Sequence, residues 1–254
     1  MHHLFRRYIP ASYWEGEKSM ILHMLSAEGI KMRKVCFIIP IVSTIILLLF
    51  TCMEWYLYFR QGEAGIYTGL NVMYMFLSFT MLLTISLLCS IISETEHQAL
   101  GLKFNFLMPI SRTGFYFAKA IWVSLLMFGC CLLILSGASV IWIAFSSQPL
   151  PFVFLMKQIF GCFAASLPVL AIQLFLSLRI SNQTIPMSAG VIGAISSLFL
   201  ARFTGRAAYI LPWVYPSMAS PFIKGYTNFI LLGILLGGLL LSLGALRFRK
   251  MEIK

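Results

Sequence analysis

SETEHQALGLKFNFLMPISRTGFYFAK, residues 93–119, interrupts an otherwise oily chain with two glutamates, a histidine and three basic residues. The runs on either side, about 70–92 and about 119–145, carry almost no charge. A run of some 20 apolar residues, at about 1.5 Å of helix per residue, covers a hydrocarbon core of about 30 Å. The flanks therefore read as membrane-spanning helices, and the stretch between them as a loop outside the bilayer.

Working outward, four more runs have that character, at about 35–55, 152–178, 185–203 and 228–246. The expected fold is all-α, a polytopic membrane protein with six transmembrane helices. Composition agrees: 60% of the 254 residues are hydrophobic, 11% are charged, and the mean hydropathy is +0.90. Between the third and fourth spans lies only SSQPLP, 146–151, whose two prolines force a tight hairpin. With the N-terminus inside, only Arg60, Lys157, Arg202, Arg206 and Lys224, of 19 Lys and Arg, fall outside. That asymmetry predicts two cytoplasmic termini, and it makes 93–119 a cytoplasmic loop.

The net charge of +11 would suggest nucleic acid in a soluble domain. In a membrane chain it reads as basic residues orienting spans and meeting anionic lipid, with no nucleic-acid partner. The six cysteines sit in or beside apolar runs without CxxC spacing, and read as small packing residues. Residues 1–19 lack the apolar core of a signal peptide and are expected to be a flexible tail or a misplaced start, dispensable for insertion and activity; 20–254 is expected to form a single transmembrane domain. From Met20 onward, Ile21, Met24, Leu25 and Glu28 share helical spacing before three basic residues, which predicts an interfacial helix on the membrane.

Within 93–119, a helix from about Glu94 to Leu107 would put Leu100, Phe104 and Leu107 on one face, with Glu96, Lys103 and Asn105 elsewhere. Pro109 closes it, and Ser111 can cap the next span. Such a helix suits docking of a partner; the plainer alternative is a solvated connector. Glu94 and His97 have the Glu-x-x-His spacing of di-iron bundles, but a second copy is missing, so no metal site is expected.

The outer loop TGRAAYILPWVYPSMASPFIKGYTN, 204–228, is too apolar to float in water, yet Pro212, Pro216 and Pro221 prevent one continuous helix. Short helices dipping into the leaflet, anchored by Tyr209, Trp213 and Tyr215, would reconcile these; a plain aromatic-belt loop is the alternative. Gly233, Gly237 and Gly244 share one face of the last span and allow close helix packing, within the bundle or in a dimer. Gln173 is a polar interruption of the fourth span, suited to a helix-to-helix hydrogen bond or to a substrate pathway, and Pro40 suggests a kink in the first.

HExxH, GxSxG and GxxxxGK[ST] patterns are missing, as are paired aspartates. The chain is not expected to be an enzyme, to hold a cofactor or to bind ATP itself. Glu54 is the one charge expected inside a span, and the lack of an ion relay argues against a secondary transporter.

The order Glu94, Gly101–Leu102, Leu107–Met108–Pro109–Ile110–Ser111–Arg112 and Lys119, with the ending Leu246–Arg247–Phe248–Arg249–Lys250–Met251–Glu252–Ile253, resembles the type-2 ATP-binding-cassette (ABC) permeases. Glu252 stands where Asp is common in that family. The opening AEGIKMRK, 27–34, and Leu211–Pro212–Trp213–Val214–Tyr215–Pro216 are most similar to the permeases of lantibiotic immunity and bacitracin-type peptide resistance. The resemblance implies a coupling helix (Glu94, Glu96, His97, Leu100, Lys103, Phe104, Leu107) seated in a separate ATPase subunit present in two copies, which binds ATP and Mg. It implies a second permease, either another copy or a sibling chain, an outer gate formed by a re-entrant loop with Pro212, Trp213, Tyr215 and Pro216, and a pathway without buried charges. The function it implies is ATP-driven export of amphiphilic antimicrobial peptides across the bacterial plasma membrane. The alternatives are export of a drug, lipid or ion by the same machinery, or a non-transporting membrane sensor or assembly factor.

Overall fold

The computed structural model describes residues 25–26, 28–59, 63–98, 111–200 and 209–250. All regular structure among them is helical: α1 (Lys34–Glu54), continued by a π-helical turn (Trp55–Phe59), α2 (Glu63–Gln98), α3 (Arg112–Phe145), α4 (Phe152–Arg179), α5 (Thr184–Leu200), a 3₁₀ turn (Pro212–Val214), α6 (Tyr215–Met218) and α7 (Tyr226–Arg249). Residues 28–31 are helical as well. Five helices are long and apolar enough to cross a membrane. The expected fifth span appears as α5, which has 17 described residues, near the lower limit for spanning an average bilayer.

The helices alternate in direction, so their ends gather at two poles. The starts of α1, α3 and α5 and the ends of α2, α4 and α7 share one pole, rich in Lys and Arg, called here the basic pole. At it, Arg112 at the start of α3 donates to the Arg249 carbonyl at the end of α7 (3.3 Å). Trp55 and Trp142 meet edge to face, 5.8 Å apart, at the far pole.

α2 and α4 form the centre of the bundle, while α1 and α7 expose most of their surface. Ile38, Ile45 and Leu49 of α1 and Leu231, Leu235 and Leu239 of α7 are exposed apolar residues, as expected where the solvent is lipid. Inside, Leu70, Leu77, Ile85, Leu88, Cys130, Ile134, Leu155 and Cys162 are fully buried. All six cysteines are free and Cys52 alone is partly exposed, in keeping with a packing role. Many intrahelical hydroxyls return to their own carbonyls, as Thr51 does to Leu47 (2.8 Å) and Ser86 to Leu82 (2.8 Å), whereas the buried hydroxyls of Ser90, Ser93 and Ser177 have no hydrogen-bond partner among the described residues.

The cap and hairpin expected from sequence are both present. Ser111 accepts from the Gly114 N–H (3.3 Å) and starts α3 at Arg112, two turns earlier than the expected edge of the span near 119. Residues 146–151 join α3 to α4, held by Trp142 Nε1 donating to the Gln148 carbonyl (3.1 Å). α1 runs on through Pro40, whose carbonyl accepts from Ser43 Oγ (3.0 Å).

Glycines set the closest approaches. A Cβ at Gly233 would lie 2.6 Å from the Ala165 backbone, and one at Gly237 would lie 2.6 Å from Leu167, so α7 lies directly on α4 there. Pro168 cannot donate to the Ala164 carbonyl, and that oxygen points at Gly233, 2.9 Å from the same hypothetical Cβ. At Gly244 a Cβ would stand 2.5 Å from the Tyr116 hydroxyl on α3. The three glycines thus pack within the bundle, one of the two uses their spacing allows.

Candidate functional site

At the basic pole, apolar spacing carries ionisable groups into the interior. On α2 the buried stripe Ile85, Cys89, Ile92 continues at the same period to Glu96; on α3 the stripe Lys119, Val123, Met127, Cys130, Ile134 begins with a lysine. Lys119 Nζ lies 2.8 Å from Glu28 Oε2 and 3.1 Å from Glu96 Oε1, with all three residues buried. Lys31, half exposed, closes the group at 3.6 Å from Glu28 and 3.8 Å from Glu96. Two carboxylates and two ammoniums give a neutral cluster, the condition under which buried charges persist. The Phe115 ring stacks under the Lys119 ammonium, 4.7 Å from its centroid.

This cluster corrects one expectation: Glu54 is not the only charge inside the helical bundle. The lysine expected to start the third span lies two turns inside its helix. Sequence reading missed the cluster because Glu28, Glu96 and Lys119 come from three elements, though Lys119 and Glu96 each fall on an apolar stripe.

The segment carrying Glu28 is locked onto α3 as well. Trp122 Nε1 donates to the Leu25 carbonyl (2.9 Å), and a Cβ at Gly29 would come within 2.6 Å of the Trp122 ring. The Glu28–Gly29 pair therefore combines a buried acid with a residue that must lack a side chain. On the other flank of α2, His97 Nε2 meets the Ser177 carbonyl of α4 (3.1 Å), and Glu94 is half-buried. Of the coupling-helix candidates, Glu94, Glu96 and His97 thus lie in the last turn of α2, with Glu96 facing inward. Leu100, Lys103, Phe104 and Leu107 lie outside the described residues.

Toward the far pole, the segment from Tyr209 to Gly225 folds into the bundle. Val214, Tyr215, Pro216, Met218 and Ala219 are buried. Tyr74 of α2 donates to the Pro216 carbonyl, and Ser78 meets Ser217 at 3.1 Å. Tyr215 donates to the Tyr209 carbonyl (2.6 Å), and burial pushes its phenol above the usual range. The Trp213 ring fills the space over Gly193 of α5, while its Nε1 has no hydrogen-bond partner among the described residues. Gly225, in the left-handed region at φ 76°, turns the chain into α7. Short helices do form here, as the prolines predicted. Beside them lies a cavity of about 150 Å³ whose lining combines Asn71, Tyr74, Ser78, Ser217 and Ser220 with Met75, Leu198, Met218 and Ile223.

Gln173 is fully buried in α4. With its amide oriented to satisfy both ends, it donates to the Pro186 carbonyl (3.2 Å) and accepts from the Gly190 N–H (3.0 Å), and its oxygen lies 3.3 Å from Ser86 Oγ, whose proton is shared with the Leu82 carbonyl. It bridges α2, α4 and α5, the helix-to-helix use of this residue. Among the described residues no group of three or more His, Cys, Asp or Glu side chains is placed to hold a metal.

A multi-pass helical membrane protein with a buried charge cluster at one pole is the class this geometry defines. A family model described as ABC-2 family transporter protein matches residues 24–197, more than half of the chain, from the Glu28 segment through α5. The chain belongs to that family: it is a membrane-spanning permease subunit of an ABC transporter, a kind of subunit that typically lacks its own ATPase site and works with an ABC ATPase. No curated protein matches the chain.

Proposed function

We propose that this chain is the permease of an ATP-driven exporter that removes amphiphilic antimicrobial peptides, such as lantibiotics, from the membrane of the bacterial cell carrying it. Two ATPase subunits supply the energy, and the working unit contains a second permease, a further copy or a sibling chain. Both termini and the loop after α2 face the cytoplasm, and Leu100 and Phe104 are its apolar anchors on the ATPase. The outer segment around Pro212, Trp213, Tyr215 and Pro216 forms the extracellular gate.

The observation that carries this reading is the Glu28–Lys119–Glu96 cluster. It ties the last turn of α2, the first turns of α3 and the N-terminal segment into one unit at the root of residues 99–110. A force applied to that loop would therefore move α2 and α3 together rather than unravel their ends. The cavity beside Tyr74 and Ser217 supports the gate assignment, since it lies at the opposite end of α2 from the loop.

The test is a mild-detergent pull-down of the tagged chain from its native cells, comparing the natural sequence with Phe104→Asp. Recovery of a nucleotide-binding ATPase with the first and its loss with the second supports the docking site. An ATPase that co-purifies equally with Phe104→Asp refutes it. Expression of the chain with that ATPase in a peptide-sensitive host should raise the lantibiotic concentration needed to stop growth. Unchanged sensitivity in cells containing the intact complex would remove the peptide from the reading, in favour of a drug, lipid or ion as cargo. If the ATPase never co-purifies, a sensor or assembly factor takes the exporter's place.

A further inference from the structure

A groove of about 290 Å³ runs between α4 and α7 at the basic pole. Its walls are Ala171, Phe175 and Leu176 on one side and Leu240 and Gly244 on the other, and Arg247 closes its end. The groove exists because Gly244 has no side chain and Ala171 only a methyl group, so the surface is hollow where Tyr116 lies beneath. From Leu240 to Arg247 it extends about 10 Å along α7, at about 1.5 Å per residue.

Arg179 lies three residues after Leu176 and four after Phe175, on the same face of α4 and one turn nearer the pole. Arg179 and Arg247 are both exposed, and neither forms an ion pair among the described residues. The nearby cations of the Glu28 cluster are, by contrast, already neutralised. An apolar channel in the lipid-facing wall, ending at Arg247 with Arg179 one turn beyond Phe175 and Leu176 on α4, matches one chemistry in both parts. Methylenes fill the channel, and a phosphate accepts the forked donors of arginine.

We propose that this groove holds one anionic phospholipid, its acyl chain between α4 and α7 and its phosphate on Arg247 and Arg179. The site lies on the faces of two helices whose mutual packing is fixed further along by Gly233 and Gly237. The lipid therefore rests on a rigid seam rather than on a moving surface. The proposal depends on the chain being a membrane protein, and it is independent of which cargo is exported or in which direction.

The experiment is native mass spectrometry of the detergent-purified full chain, titrated with phosphatidylglycerol or with phosphatidylcholine of the same acyl composition. Phosphatidylglycerol should saturate a first site at one per chain and be retained in preference to phosphatidylcholine. Arg247→Gln and Arg179→Gln should each lower that retention about fivefold, while Lys250→Gln, a like charge at the same helix end but outside the groove, leaves it unchanged. Leu243→Trp, which fills the groove from its exposed rim, should abolish the first adduct even if an arginine variant fails to fold. Equal retention of the two lipids, equal losses in Arg247→Gln and Lys250→Gln, or an unchanged first adduct in Leu243→Trp would each overturn the site. A dimer that has shed the phosphatidylglycerol carried by the monomer would assign the groove to a second copy instead.

Discussion

Lys119 Nζ and Glu28 Oε2 stand 2.8 Å apart in the interior, although 91 residues separate them in sequence. Glu96 joins the same ammonium from a third element. The pair defines how the N-terminal segment is attached to α3, and the first prediction concerns it.

Removing one partner leaves charge buried without compensation, a loss of about 3–5 kcal/mol when water cannot reach the site. Lys119→Met should therefore lower the thermal unfolding temperature in detergent sharply, and Glu28→Gln combined with it should recover part of the loss. Lys31→Gln, at the half-exposed rim, should cost about 1 kcal/mol or less. Equal unfolding temperatures for Lys119→Met and Lys31→Gln would show that the cluster does not hold the segment.

Along α7, Gly233 and Gly237 face α4 at backbone distance, whereas Gly238 has nothing among the described residues within 4 Å of a hypothetical Cβ. Gly233→Leu should therefore force the helices apart and reduce the monodisperse fraction in size-exclusion chromatography, and Gly238→Leu should be tolerated. Overpacking of this sort costs about 1–3 kcal/mol. Failure of Gly238→Leu to assemble with a partner permease, with its own fold intact, would instead locate a subunit interface on that face.

Gln173 hydrogen-bonds to groups on two neighbouring helices, so Gln173→Leu should destabilise the fold by about 0.5–1.5 kcal/mol through the lost bonds, while Ser86 keeps its bond to the Leu82 carbonyl. The readout is unfolding temperature alongside transport. A variant of normal stability with altered cargo preference would return Gln173 to the substrate pathway.

Trp213 rests on Gly193, and a larger residue there has no room without displacing the ring. In a background lacking the native cysteines, Ser217→Cys should react with a membrane-impermeant maleimide slowly, and several-fold faster once Gly193→Val is added. An unchanged rate would mean that Trp213 does not secure the outer segment.

Much of this protein is local in origin and could be read directly. Ser111 caps α3 because a hydroxyl at that position reaches the Gly114 N–H whatever surrounds it. The turn at 146–151 follows from two prolines, and the short helices near 212–218 from three. Membrane class, helical fold and the existence of one charged connector follow from composition and period alone. The family assignment then agreed with motifs read from residues 94–119.

What remained was decided by pairing between distant elements. Lys119 looked like the basic edge of a span because a lysine at the end of an apolar run ordinarily meets lipid headgroups. Only folding places two carboxylates beside it, and those make its burial tolerable. Gln173 and the α7 glycines had two uses each in the sequence, since spacing fixes the face a residue occupies but not what lies opposite. Tertiary structure made that choice: Gly190 and Ser86 came to Gln173, and Ala165 and Leu167 came to Gly233 and Gly237. Burial is a property of the neighbours a residue acquires, and those neighbours are encoded elsewhere in the chain.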